Sequence, residues 1–201
     1  MLNPQETIQL SKALSKVLRH SAVDQQLDIS PDGYVAVADL LARPRFQEFS
    51  LQDLQHVVET NNKKRYELTL RDDVYYIRAT QGHSIKTVTH QDLLEEVTHL
   101  TTPVIHGTTQ KAWASIKVQG LSTMRRNHIH FATGLPDDPT VSSGIRKTSD
   151  VFIYIRLQEA QKDGIVFYRS KNNVILSSGL NGFVSPKYFE KVHDNQGQDL
   201  V

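Results

Sequence analysis

The chain is 201 residues long, with 38% hydrophobic residues, 22% charged residues and no cysteine. That length holds one large domain or two small ones with separate cores, and the missing thiol excludes disulfide scaffolds, thiolate metal sites and cysteine nucleophiles. No apolar run reaches the roughly 20 residues that span a bilayer, and the start MLNPQETIQL has neither a basic n-region nor an apolar h-region, so a cytoplasmic protein without a membrane partner is expected.

The formal net charge of +1 hides an uneven division. Residues 1–99 carry 11 Lys/Arg against 14 Asp/Glu, whereas residues 100–201 carry 12 against 8. A positive excess of that size in the second half suits a polyanionic ligand and falls well short of a non-specific nucleic-acid coat protein.

Ile8, Leu10, Leu14, Val17 and Leu18 fall largely at helical spacing and predict an amphipathic helix over 5–19, ending near Arg19-His20, where a helix terminus favours cations. Ser30-Pro31-Asp32-Gly33 is turn chemistry, and VAVADLLA after it reads as a short helix stopped by Pro44. A third helix, LQDLQHVVET, begins at Ser50 with Asp53 three residues on, a capping box with Asp in the Glu position. YELT and VYYIR flank LRDD as a hairpin. Three short helices and a hairpin make a winged-helix pattern over residues 1–80. Residues 81–100 are polar, hold one short helical segment and read as a connection. From 101 to 192 the apolar runs VIH, HIHFA, VFIYI, GIVFY and VILSS are separated by Gly, Pro, Asn and Asp, with one helix at TQKAWASIKVQG that ends on Gly120. That is a sheet-dominated lobe, residues 193–201 are a C-terminal tail, and the fold class is α+β.

Five places offer chemistry. Arg19-His20 sets a guanidinium, able to hold phosphate oxygens bidentately, beside an imidazole that titrates near neutrality; the same dipeptide is also an ordinary charged helix end. Asn61-Asn62-Lys63-Lys64-Arg65 is a compact basic loop before a strand, and such loops are also common solvated surface. In MRRNHIHFA at 124–132, a strand through HIHFA turns His128 and His130 to one face and Ile129 and Phe131 to the other. His-x-His together with His106 has zinc-ligand spacing, but no neighbouring Cys, Asp or Glu completes a tetrahedral set, so no metal is expected and Arg125-Arg126 make the segment an anion site. In VIHGTTQKAW a strand ends at His106-Gly107-Thr108 and a helix starts behind it; the glycine admits a ligand to the backbone, and the helix N-terminus favours phosphate. SSGIRK at 142–147 is a glycine-containing loop carrying Arg146, suited to phosphate or ribose, or to a plain surface turn. The third helix is a poor DNA reader, since it has no Lys or Arg and carries Asp53 and Glu59.

In order, LSKALSKVLRH, NNKKRYEL, HGT, GLSTMRRNHIHFA, SSGIRK, DGIVFYRSKNNVIL and SPKYF, spread from about residue 8 to 192, closely resemble the RNA 2′-phosphotransferases. The resemblance implies an N-terminal winged-helix lobe that binds RNA, a C-terminal ADP-ribosyltransferase-like lobe that binds NAD, and an active site in the cleft between them. It assigns catalysis to Arg19, His20, Arg65 and Arg126, the last chosen over Arg125 because Met124 and His128 fix the register of M-x-R-x-H. It assigns NAD binding to His106, Gly107, Thr108, His128, Ser143, Gly144 and Arg146, with Ile145 standing where the family often has Met. NAD is then consumed as co-substrate, no metal is required, and the partner is RNA bearing a 2′-phosphate, met by a monomer.

The reaction so implied has two steps. The RNA 2′-phosphate attacks the anomeric carbon of the nicotinamide ribose, expelling nicotinamide and giving RNA-2′-phospho-ADP-ribose. The ribose 2″-hydroxyl then attacks that phosphate and releases RNA with a 2′-hydroxyl and ADP-ribose 1″,2″-cyclic phosphate. The arginines would stabilise phosphate charge and His20 would move a proton in the second step. Two other readings compete: an ADP-ribosyltransferase acting on terminal nucleic-acid phosphates, and a winged-helix nucleic-acid-binding protein that senses NAD. NNVILSSG lacks the acidic residue that many protein-modifying ADP-ribosyltransferases carry, and the acidic third helix counts against the regulator.

Overall fold

Asn3 starts the first helix: its side chain accepts from the Glu6 amide at 2.9 Å, and Glu6 Oε2 accepts from the Asn3 amide at 2.8 Å, so donors otherwise orphaned at the terminus are satisfied. This helix, α1 (Pro4–Lys16), buries Leu10, Ala13 and Leu14. Over Val17–Ser21 the winding loosens into a π-helical turn, which the sequence periodicity does not distinguish from ordinary helix. The turn keeps Val17 and Leu18 buried while Arg19 is half-buried and His20 exposed; single π turns inside or at the end of helices are frequent at functional sites.

These elements are seen in a computed structural model that describes residues 2–201. It is a mixed α/β chain of several small antiparallel sheets and, among the described residues, five α-helices, and it divides into two units, Met1–Leu93 and Leu94–Val201. No helix of the described residues is long and apolar enough to cross a membrane.

In the first unit β1 (Val35–Ala36), α2 (Val37–Leu41), α3 (Leu51–Thr60), β2 (Tyr66–Arg71) and β3 (Val74–Ala79) follow α1. The Ser50–Asp53 capping box forms as the sequence predicts. VAVADLLA is only partly helical: Val35 lies opposite Ile77, both fully buried, so its first residues add an edge strand and the hairpin becomes a three-stranded sheet of order β1-β3-β2. The β2–β3 turn sets Asp72 and Asp73 at φ 47° and 61°, the left-handed pair that suits the twist of a tight hairpin. Arg78 is buried and staples the unit. Its guanidinium donates to Glu67 Oε2 at 2.8 Å and to the carbonyls of Asp32 and Asp92 at 2.9 and 3.0 Å, and lies 4.4 Å from the centre of the Tyr34 ring. The polar stretch that follows is better packed than its composition predicts, since Thr80, Gln81, His83, Ile85, Val88 and Leu93 are all buried.

The second unit runs β4 (Glu95–Glu96), β5 (Ile105–Thr108), α4 (Gln110–Gln119), β6 (Leu121–Ser122), β7 (Ile129–Phe131), β8 (Val151–Ile155), α5 (Leu157–Lys162), β9 (Tyr168–Arg169), β10 (Ile175–Ser177), β11 (Phe183–Val184) and β12 (Phe189–Asp194). The larger sheets have orders β4-β9-β10-β7 and β12-β8-β5, and β6 pairs with β11. A bridge between Ile105 and Ala132, with bonds of 2.9 and 2.8 Å, joins the edges of the two larger sheets. Ile129, Phe131, Ile153, Phe167 and Ile175 fill the core, and Trp113 of α4 closes it against Phe189. Lys187 and the Tyr188 hydroxyl both bond Asp163 at 2.7 Å, tying the end of α5 to the turn before β12 and holding the Asp163 carboxyl below its usual pKa. Residues after β12 fold back on it, with the Leu200 amide bonded to the Val192 carbonyl at 2.9 Å.

Candidate active site

The bridge between β5 and β7 is where the second unit gathers its polar side chains. His106 Nδ1 lies 2.8 Å from the His130 carbonyl oxygen. A carbonyl only accepts, so Nδ1 carries the hydrogen and the neutral ring keeps Nε2 as an acceptor. Burial pushes the His106 pKa below its ordinary 6.5, Arg146 adds to the effect, and the bond to His130 opposes it. The ring is therefore uncharged at neutral pH.

Arg126 is half-buried with Nη1 3.4 Å from His130 Nε2, whereas Arg125 is exposed. Burial, then the Arg146 charge, lowers the Arg126 pKa from its ordinary value, yet a guanidinium stays protonated. Two arginines thus bear on one place, an arrangement that a bound anion would relieve. The loop bringing Arg146 there is fixed by two glycines. A Cβ on Gly107 would stand 2.4 Å from Ile145 Cγ1 and 2.7 Å from Ser149 Oγ; one on Gly144, at φ +93°, would stand 2.7 Å from the Phe131 carbonyl. Ser143 is half-buried on the same loop, Thr108 is half-buried at the end of β5, and His128 meets Tyr168 edge to face with ring centres 6.0 Å apart.

One expectation changes. The start of α4 is already occupied: Asp150 Oδ1 accepts the Gln110 amide at 2.8 Å, and Thr109 Oγ1 accepts the Ala112 amide at 3.2 Å. A carboxylate at a helix N-terminus satisfies the positive end of the dipole, so this terminus is not left for phosphate. Among the described residues no group of three or more His, Cys, Asp or Glu is gathered to hold a metal ion.

In the first unit Arg19, His20 and Arg65 meet one segment, residues 80–84. The Arg19 carbonyl accepts the Ser84 amide at 2.9 Å, His20 Nδ1 is 2.9 Å from Ser84 Oγ, and the Arg65 carbonyl accepts the Thr80 amide at 2.9 Å. Gly82, at φ +91°, runs against the Arg19 side chain, where a Cβ would lie 3.4 Å from Nε. Asn61 Oδ1 accepts from the Arg65 amide at 3.2 Å and from Arg65 Nη1 at 3.5 Å. Sequence reasoning named Asn61 and His130 only as parts of candidate segments, without a role of their own, and did not single out Tyr168 or Ser84. The alternation in HIHFA already put His130 on the His128 face; Ser84 and Tyr168 carry no local signal, since only their strand and loop neighbours make them relevant.

A half-buried Arg126 against His130, an exposed Arg146 bearing on the neutral His106 ring, and an Arg-His pair on a π turn suit phosphate binding and proton transfer. The pattern that describes the RNA 2′-phosphotransferase, Tpt1 / KptA family matches residues 5–179. The chain is 46% identical over 196 residues to a putative tRNA 2′-phosphotransferase of Schizosaccharomyces pombe, a match covering 98% of this chain and 54% of that protein, so the chain spans about half of that relative's length. It is 45% identical over 188 residues to tRNA 2′-phosphotransferase 1 of Homo sapiens, covering 92% and 74% of the two chains. With tRNA 2′-phosphotransferase of Saccharomyces cerevisiae the identity is 37% over 182 residues, covering 86% and 79%. The chain belongs to the RNA 2′-phosphotransferase, Tpt1 / KptA family, a family of transferases.

Proposed function

We propose that this chain removes a 2′-phosphate from RNA with NAD as co-substrate, using a winged-helix lobe for RNA and an ADP-ribosyltransferase-like lobe for the dinucleotide. The observation that carries the proposal is the His106, Arg126, His130 and Arg146 constellation in a chain of this family. Three helices and the β1-β3-β2 sheet support the winged-helix assignment, and two small antiparallel sheets joined at β5–β7 support the second lobe.

The donor set fits a dinucleotide. A neutral histidine with Nε2 as acceptor suits a ribose hydroxyl, Arg146 with the Ser143 and Thr108 hydroxyls suits a pyrophosphate, and the His128–Tyr168 pair offers ring faces for a base. NAD would be held by His106, Gly107, Thr108, His128, Ser143, Gly144 and Arg146, and when bound it supplies an anomeric carbon with nicotinamide as leaving group. Arg126, Arg19 and Arg65 hold phosphate oxygens and spread the charge that builds on them. His20, exposed at its π turn and oriented by Ser84, moves the proton of the hydroxyl that displaces the RNA. No covalent bond to the protein is needed.

Incubation with NAD and an RNA carrying one internal 2′-phosphate tests the proposal. The expected products are nicotinamide, RNA with a free 2′-hydroxyl and ADP-ribose cyclic phosphate. A final RNA product that keeps the ADP-ribosyl group identifies the terminal-phosphate ADP-ribosyltransferase instead.

A further inference from the structure

The first unit carries an open groove of ≈ 510 Å³ between α1, the end of α3 and the loop leading to Arg65. Thr7, Ser11 and Ser15 recur every four residues, so their hydroxyls form one stripe along α1. That stripe faces Thr60, Asn61 and Asn62 across the groove. Lys12, Lys63 and Arg65 also line it, with Ile8 and Val57, and no carboxylate is in the lining. In a half-chain with 14 Asp/Glu against 11 Lys/Arg, this lining gathers three cations along one groove.

The floor is hydrogen-bonded throughout. The Tyr66 hydroxyl lies 3.0 Å from Ser11 Oγ and 2.6 Å from Ser15 Oγ, and it donates to the Ser11 carbonyl. Asn61 Nδ2 donates to Ser11 Oγ at 3.4 Å while its Oδ1 accepts from Arg65. Asn61 therefore joins the groove floor to the Arg65 guanidinium in one network.

We propose that this groove is an RNA subsite for the single strand beside the 2′-phosphorylated nucleotide. Lys12 and Lys63 take a neighbouring phosphodiester, and the hydroxyl and amide rows bond its ribose 2′-hydroxyl, the group that separates RNA from DNA. The volume accommodates on the order of one nucleotide, since pockets of roughly 300–1,000 Å³ hold ligands of that size; a duplex would lie across the rim. Apart from the Tyr66 hydroxyl in its floor, no aromatic residue lines the groove for a base to stack on, so it reads backbone and ribose without base preference. The inference rests on the RNA reading given above.

Fluorescence anisotropy with short labelled single-stranded RNA, with and without an internal 2′-phosphate, tests it on the wild type, Lys12→Glu and Asn62→Asp. Both residues are exposed, and Glu keeps the helix propensity of Lys, so the variants fold. Lys12→Glu is expected to weaken both RNAs about tenfold at low salt and to reduce the salt slope by roughly 1. Asn62→Asp shifts in the same direction by less. With NAD present, KM rises more for a long 2′-phosphorylated RNA than for a 2′-phosphorylated dinucleotide. Variants that bind like the wild type, a wild type that does not bind single strands, or equal KM changes for both substrates would overturn the subsite. The anisotropy readout needs no turnover, so it judges the groove even where 2′-phosphate removal fails, and normal turnover with unaltered variants rejects the groove alone.

Discussion

The Nδ1–H of His106 points at the backbone carbonyl of His130, 2.8 Å away, and this one bond fixes which nitrogen a ligand meets. The His106 pKa lies below 6.5 because burial, helped by Arg146, disfavours the imidazolium. NMR of the ring protons is expected to give a titration midpoint below 6.5, and a midpoint at or above it rejects the neutral acceptor role. The sign for stability follows. Between the lowered folded pKa and about 6.5 the unfolded chain binds more protons. The His106 contribution is therefore full above about 6.5 and is lost as pH falls through the folded value. His106→Ala should raise KM for NAD about tenfold, the scale of one lost hydrogen bond.

Arg126 and Arg125 are adjacent, yet only Arg126 is half-buried against His130. Replacing a preorganised charge stabiliser typically costs about 10² or more in kcat, so Arg126→Ala should lose that much 2′-phosphate removal while Arg125→Ala stays within a fewfold of wild type. Arg126→Lys should not rescue, because an ammonium lacks the planar fork. Equal losses at the two positions would contradict the assignment.

Legibility in the sequence differed by element for physical reasons. The α3 cap, the β2–β3 hairpin, the glycine end of α4 and the inward Ile129 and Phe131 were readable, because each depends on residues within a few positions of one another. The π turn was not, since Val17 and Leu18 look helical by spacing and only tertiary packing widens the winding. Nor was the segment 80–84: Gln81 and His83 are polar yet buried, and Arg65 and Arg19, whose carbonyls hold Thr80 and Ser84, are distant in sequence. The occupied α4 terminus depends on Asp150, forty residues away from the amide it accepts. Local chemistry announces itself; partners brought together by the sheet do not.

Gly107 and Gly144 hold the Arg146 loop, and their alanine variants should behave differently. At Gly107 the added methyl meets Ile145 and Ser149 side chains, which can shift. At Gly144 it meets the Phe131 backbone and also needs a left-handed φ. Overpacking and backbone strain each cost about 1–3 kcal/mol. Gly144→Ala is expected to lower Tm more than Gly107→Ala, and both should raise KM for NAD by displacing Arg146. Thermal unfolding and steady-state kinetics on the pair decide it; a Gly144→Ala protein with wild-type Tm would mean the loop is slack.

Arg78 stands outside the proposed catalytic set, so its removal separates stability from chemistry. It is buried, with Glu67 and two backbone carbonyls as acceptors. Deleting one partner of a buried ion pair costs about 3–5 kcal/mol because the other charge is left uncompensated. Arg78→Ala should therefore unfold at clearly lower urea, and Arg78→Ala with Glu67→Gln should recover part of the loss. No recovery in the double variant would assign the cost to the carbonyls of Asp32 and Asp92 instead.

His20 is the sharpest test of the division of labour. It is exposed on the π turn with Nδ1 2.9 Å from Ser84 Oγ, so it can exchange protons with solvent while its ring is held in one orientation. If it serves only the second displacement, His20→Ala still releases nicotinamide and RNA carrying an ADP-ribosyl group accumulates, visible as a slower gel band and by mass. Ser84→Ala keeps the imidazole but removes its 2.9 Å hydroxyl partner, and should slow release of the 2′-hydroxyl RNA by roughly tenfold, the lower range for a general acid–base contribution being 10². Should His20→Ala leave only untouched RNA and intact NAD, the imidazole belongs to the first displacement, and Arg19 must then act with it on the incoming phosphate.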